Sequence, residues 1–157
     1  MRNIYVGIVF LLAPLVPTTA FAATPAPLAA LHDLAGTWHC TYRGGAVRMA
    51  YENTFAFDLD GHALRQTTSW AGGGGDEELL TYDAQHGAWT AVVLDDHGNA
   101  TVLRATGRNP NHIAYRSVYP DAGIAVTFDR VSAGEYTLHA TARYGGKTIT
   151  SVDSCSR

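Results

Sequence analysis

The sequence predicts an all-β protein: a closed antiparallel up-and-down barrel of about ten strands with a short N-terminal helix. Three observations predict it. Helical spacing disappears after Gly36 and gives way to short alternating runs bounded by turn residues. The connections between runs are short, so neighbours in sequence pair as antiparallel hairpins. The two cysteines, Cys40 and Cys155, lie in the first and last runs, and a bridge between them would set the first strand beside the last. A β-sandwich is the alternative, since it too can juxtapose the terminal strands. Closure is favoured because it removes exposed sheet edges.

A chain of 157 residues has room for one core. Met1-Arg2-Asn3 is a short basic start, the run from Ile4 to Val16 is apolar, and Ala20-Phe21-Ala22 is a small-x-small cleavage pattern. Residues 1–22 are therefore expected to be a secretory signal peptide and 23–157 a single barrel domain, secreted or periplasmic. Pro14 and Pro17 interrupt the run, which is too short for a bilayer. Ala23, not a cysteine, stands directly after the expected cut, so no membrane anchor is expected. Export to an oxidising compartment makes a Cys40–Cys155 disulfide the expected state of the two thiols. With 14 acidic against 11 basic residues the chain carries a formal charge of −3, which gives no electrostatic reason to bind nucleic acid.

Taken in order, Pro27 opens a helical pattern in which Leu28, Leu31 and Leu34 recur, with Gly36 at its end. Its apolar stripe is placed to plug one end of a barrel. The first strand, Thr37 to Arg43, alternates Trp38, Cys40 and Tyr42 with polar neighbours. The second, Arg48 to Asp58, sets Tyr51, Asn53, Phe55 and Phe57 in one phase. Asp60-Gly61 turns the chain into Ala63 to Trp70, with Leu64, Gln66, Thr68 and Trp70 in one phase.

After the glycines 72–75 come strands from Glu78 to Asp83, Trp89 to Asp95 and Ala100 to Thr106. Then follow His112 to Tyr119, Ile124 to Arg130, Glu135 to Ala142 and Lys147 to Cys155. Turns fall at Gln85-His86-Gly87, Asp96-His97-Gly98-Asn99, Asn109-Pro110-Asn111, Pro120-Asp121-Ala122-Gly123, Ser132-Ala133-Gly134 and Gly145-Gly146.

The leucine-bearing helix followed by Gly36-Thr37-Trp38 at the head of the first strand resembles the calycin barrels: lipocalins, fatty-acid-binding proteins and nitrobindin-like proteins. The resemblance implies that Trp38 packs across the closed end. The chain departs from each of these families. It ends in a strand rather than the helix that follows the eight lipocalin strands, so a ten-stranded form is the better match. Cys40 stands where nitrobindin-like proteins have a second glycine. Their haem-holding histidine has no counterpart between Lys147 and Arg157, and His139 falls in the phase opposite to Tyr136, Leu138 and Ala140. Haem is disfavoured, and no cofactor is expected. Fatty-acid-binding barrels hold a carboxylate with inward arginine, yet here alternation points Arg65 and Arg116 to solvent and leaves Arg104 open.

Candidate chemistry is sparse. The histidines lack zinc-site spacing, and His62, His86 and His97 fall in turns, so no metal is expected. Asp95-Asp96-His97 and Asp129-Arg130 could serve a general acid or base, but turns use the same residues for local hydrogen bonds. No serine or cysteine lies in a nucleophile motif. The glycine run lacks the Lys-Ser/Thr of a phosphate loop and reads as a hairpin tip or a lid at a barrel mouth.

The strongest positive feature is the aromatic inward phase. Trp38, Tyr51, Phe55, Phe57, Gln66, Trp70, Tyr115 and Tyr119 are the candidate ligand-binding residues, giving an apolar interior with a few polar fixtures. The expected function is binding or carriage of a small apolar or amphipathic molecule. The alternatives are a non-enzymatic interaction or inhibitor module acting on a protein partner through its loops, and a barrel enzyme using His97 or His139.

Overall fold

The computed structural model describes residues 23–157, and the expected signal peptide lies outside the described residues. The chain forms α1 (Ala26–Ala29), a 3₁₀ turn (His32–Leu34) and ten strands. These are β1 (Gly36–Gly44), β2 (Val47–Asp58), β3 (Ala63–Trp70), β4 (Gly75–Asp83) and β5 (Ala88–Asp95), then β6 (Ala100–Thr106), β7 (His112–Tyr119), β8 (Ala125–Ser132), β9 (Glu135–Tyr144) and β10 (Lys147–Ser156). Each strand pairs antiparallel with the next, and β1 pairs with β10, so the sheet is a closed barrel rather than a sandwich.

The seam is set by Cys40 and Cys155, which stand directly opposite in the β1–β10 ladder with Cα atoms 4.1 Å apart and are joined as a disulfide. Both point inward, in phase with Tyr42 and Asp153 one step along their strands. The bridge therefore belongs to the core and not to the surface.

One end of the barrel is closed by the N-terminal segment. Leu28, Leu31 and Leu34 are fully or almost fully buried there. Trp38 Nε1 donates to the Leu34 carbonyl at 2.7 Å, satisfying the indole's only donor. The Arg157 guanidinium lies 4.6 Å over the Trp38 ring and donates to the Ala35 carbonyl at 3.3 Å. An Asp33–Arg130 ion pair joins the 3₁₀ turn to β8, and the His32 ring stacks on Phe57 at 4.7 Å. The sequence expectation that the leucine stripe plugs an end holds in the structure.

Two expectations are corrected. Tyr119 does not face inward: it is 63% exposed. The β6–β7 ladder shifts register between Val102 and Leu103, pairing Leu103 with Ser117 but Val102 with Tyr119, so Val118 is extra. That bulge turns Tyr119 to the outer face, where its partner Val102 lies. β4 begins at Gly75, not Glu78, because the last glycine of the run is already in the ladder opposite Ser69. A Cβ on Gly75 would sit 2.0 Å from the Thr68 carbonyl oxygen, so the strands can approach here only with glycine.

Arg65, Arg104, Arg116 and His139 all lie exposed on the outer face. Arg65 donates to Glu77 at 3.0 Å and pairs with Asp58. Among the described residues no helix is long and apolar enough to cross a membrane.

The bridge spans a sequence separation of 115, and a loop of that size is stabilised by about 4 to 5 kcal/mol in the chain-entropy account. Cys40→Ala/Cys155→Ala is expected to unfold at a markedly lower guanidinium concentration than the oxidised protein, whereas Tyr119→Ser is expected to shift the midpoint little. Denaturation curves followed by tryptophan fluorescence check both.

Candidate functional site

Alternation along ten strands brings one side-chain phase into the barrel, where it encloses a cavity of about 220 Å³. Leu31 and Leu34 form its floor, and Trp70, Asp76, Ala140 and Asp153 stand towards the other end. Of the candidate ligand-binding residues, Tyr51, Phe55, Gln66, Trp70 and Tyr115 line this cavity. Trp38 and Phe57 do not: Trp38 packs edge-on against Tyr136 at 5.0 Å in the closed end, and Phe57 is covered by His32. Tyr119 lies outside altogether.

The aromatic wall has defined geometry. The Tyr51 and Trp70 rings are 4.5 Å apart and tilted, and Tyr42 meets Trp70 edge-on at 6.3 Å. Below them runs a chain of hydrogen bonds. Gln66 Nε2 donates to Thr68 Oγ1 at 3.2 Å, Thr68 donates to Asn53 Oδ1 at 2.9 Å, and Asn53 Nδ2 donates to the Tyr136 hydroxyl at 2.9 Å. The Tyr136 oxygen is 3.6 Å from Cys40 Sγ; a bridged sulfur carries no hydrogen, so the phenol donates to it. Asn53 is fully buried, and this network satisfies both ends of its amide.

Sequence reasoning missed three cavity-lining carboxyl groups: Asp76 and Glu78 on β4, and Asp153 on β10. Burial, with Asp76 nearby, pushes Glu78 up to about 7. Burial raises Asp153 to about 6, partly offset by the Tyr51 hydroxyl, and its Oδ1 is buried without a hydrogen-bond partner. Asp76 is also raised, first by burial and further by Asp95 and Asp96, with the neighbouring Thr68 hydroxyl acting the other way. Burial lifts the tyrosines as well: Tyr115 next to Glu78, Tyr51 next to Asp153, and Tyr136 in spite of its bond from Asn53. The signal that could have found them is phase: Glu78 shares that of Leu80 and Tyr82, and Asp153 that of Cys155.

The rim is tied rather than loose on the glycine side. Gly73 N–H donates to the Trp70 carbonyl at 2.9 Å, Trp70 N–H to Gly74 at 3.1 Å, and Asp96 N–H to the Gly75 carbonyl at 3.2 Å. At the β5–β6 turn the ligand atoms of Asp95, Asp96 and His97 come within 4.8 Å of one another. The Asp95 carboxylate there already accepts from the His97 and Asn99 amides and the Asn99 side chain. His97 and His139 both lie outside the cavity, His97 beside Asp96 at 2.6 Å and His139 on the outer face of β9. Asp129 pairs with His112 at 2.5 Å, and Arg130 with Asp33.

Two outcomes follow from this interior. Asn53→Ala strands the Thr68 and Tyr136 hydroxyls and is expected to cost about 2 to 3 kcal/mol in urea unfolding. Glu78 has a folded pKa raised from 4.5 to about 7, so the folded state holds its proton more tightly. Its favourable contribution is complete below pH 4.5 and is lost as pH rises through 7, a fall of about 3 kcal/mol at most. Glu78→Gln is expected to remove that fall and to be more stable than the native protein at pH 8, measured by urea midpoints from pH 4.5 to 8.

No protein-family model matches the sequence, and no curated protein matches it. Among solved structures the chain is similar to the S-type phycobiliprotein lyase CPES from Guillardia theta, with a TM-score of 0.55 over 82% of this chain and 90% of that one, at 11% identity. That likeness is one of fold. The chain itself is a closed antiparallel barrel of ten strands with a short N-terminal helix.

Proposed function

We propose that this is an exported barrel that binds or carries a small apolar or amphipathic molecule in its interior. The observation that carries the reading is the cavity of about 220 Å³ inside the barrel, walled by Tyr51, Phe55, Trp70 and Tyr115 and fitted with a few polar groups. Small-molecule sites have this composition, and the volume suits a ligand more compact than the molecules that fill drug-sized pockets of roughly 300 to 1,000 Å³. The fold likeness to a phycobiliprotein lyase is compatible with a barrel that holds a small pigment-like molecule. The internal disulfide supports export, since such bridges persist in oxidising compartments.

Binding rather than turnover is favoured by where the histidines sit. His97 and His139 face solvent, so neither reaches a molecule inside the barrel. The interaction-module alternative acts through the loops, and the glycine-rich tip among them is hydrogen-bonded to its own hairpin and to Asp96.

The neutral fluorophore N-phenyl-1-naphthylamine tests the reading. Its emission is expected to rise on mixing with the protein. Ala140→Phe, which fills the cavity from β9, is expected to weaken that binding at least tenfold with the thermal midpoint kept within a few degrees. An unchanged emission, or equal binding by the filled variant, overturns the cavity reading.

A further inference from the structure

We propose that the cavity takes a ligand carrying a protonated amine, with Glu78 as its counter-ion and the Tyr51 and Trp70 rings against its apolar body. This rests on the binding reading above and adds the ligand's chemical class to it.

The charge pattern of the cavity is one-sided. Among the described residues its carboxylic acids are Asp76, Glu78 and Asp153, and no lysine, arginine or histidine lines it. The arginines of the neighbouring strands point outward, and Arg65 is held by Asp58 and Glu77. An anionic ligand would meet only like charge in a water-poor space, where unpaired charges are costly. A cation would supply the missing partner.

Two further groups point into the same space without a partner. Tyr115 is only 6% exposed and lines the cavity, yet its hydroxyl makes no hydrogen bond among the described residues; the group it feels is Glu78. Glu78 is half-buried, lines the same cavity and engages no donor among the described residues, and the charge that acts on it is the like charge of Asp76. An ammonium carries three donors and no acceptor. It can therefore serve the Glu78 carboxylate and the Tyr115 oxygen together, while the ring faces of Trp70 and Tyr51 attract a cation through their quadrupoles.

The groups facing Glu78 set the pH dependence. Asp76 lies on its own strand, Gln66 opposite it on β3, Tyr115 on β7 and Tyr136 on β9, with Tyr51 on β2 and Asp153 on β10 around the same space. From β5, β6 and β8, among the described residues, the apolar side chains Val93, Leu103, Val126 and Phe128 reach the cavity. With Glu78 titrating near 7 in the empty barrel, an ammonium ligand binds its ionised form and displaces its proton to solvent. Affinity is then full above pH 7 and falls as pH drops through that value.

Three probes on one indole scaffold separate the possibilities: tryptamine, neutral 3-ethylindole and anionic indole-3-propionate, compared by isothermal titration calorimetry on the oxidised native protein. Tryptamine is expected to bind at least tenfold tighter than 3-ethylindole at pH 8, and indole-3-propionate at least tenfold weaker. Lowering the pH to 5.5 is expected to cost tryptamine at least tenfold and 3-ethylindole nothing. Glu78→Gln is expected to abolish both the amine preference and its pH dependence. Equal binding of tryptamine and 3-ethylindole by the native protein overturns the amine assignment and leaves the binding reading standing, as does an amine preference that persists in Glu78→Gln. Failure of all three probes and of N-phenyl-1-naphthylamine overturns both. The native-protein comparison requires no variant to fold.

Discussion

The structure depends on the sheet meeting itself. Nine of the ten strand pairings join neighbours in the chain, and each could form locally; the β1–β10 ladder alone connects segments from opposite ends. Without it the interior phase of every strand would face an open trough instead of a room. The disulfide sits in that ladder and points inward, so it also fixes the Tyr136 hydroxyl that ends the Gln66–Thr68–Asn53 chain. Closure and the polar order of the interior are thus one construction.

That interior carries two kinds of constraint that act against each other. Aromatic and aliphatic side chains gain by leaving water, and the polar chain through Asn53 is satisfied at each link. Glu78, Asp76 and Asp153 gain nothing from burial, since among the described residues no basic group is there to meet them. Local disagreement of this sort between stability and sequence is common where a protein keeps a site for something else. The same carboxyl groups that weaken the empty barrel give the cavity its sign.

Much of the architecture was legible because a barrel translates alternation directly into inside and outside. Trp38, Cys40, Tyr51, Phe55, Leu64, Gln66 and Trp70 fall where a period of two puts them, and Arg65, Arg116 and His139 fall opposite. What escaped has local causes. Tyr119 was misplaced by a single extra residue at Val118, which reverses phase and leaves no mark in composition. Asp76 was hidden because the glycines before it read as a turn, although Gly75 already belongs to β4. Asp153 was hidden by Val152, an apolar neighbour that lies on the outside of the strand, 37% exposed. Glu78 stands in the inward phase, but a carboxylate in a strand is ordinarily read as solvent-facing, and only the closed barrel shows that it lines a cavity.

The hydrogen bonds that bind the glycine hairpin to Asp96 and to Trp70 bear on the timing of exchange. A rim stitched in this way does not offer a loose glycine loop as the gate for a molecule to pass. Residence time would then be governed by what holds the occupant inside, and a change in acidity at Glu78 could release it as effectively as a moving gate.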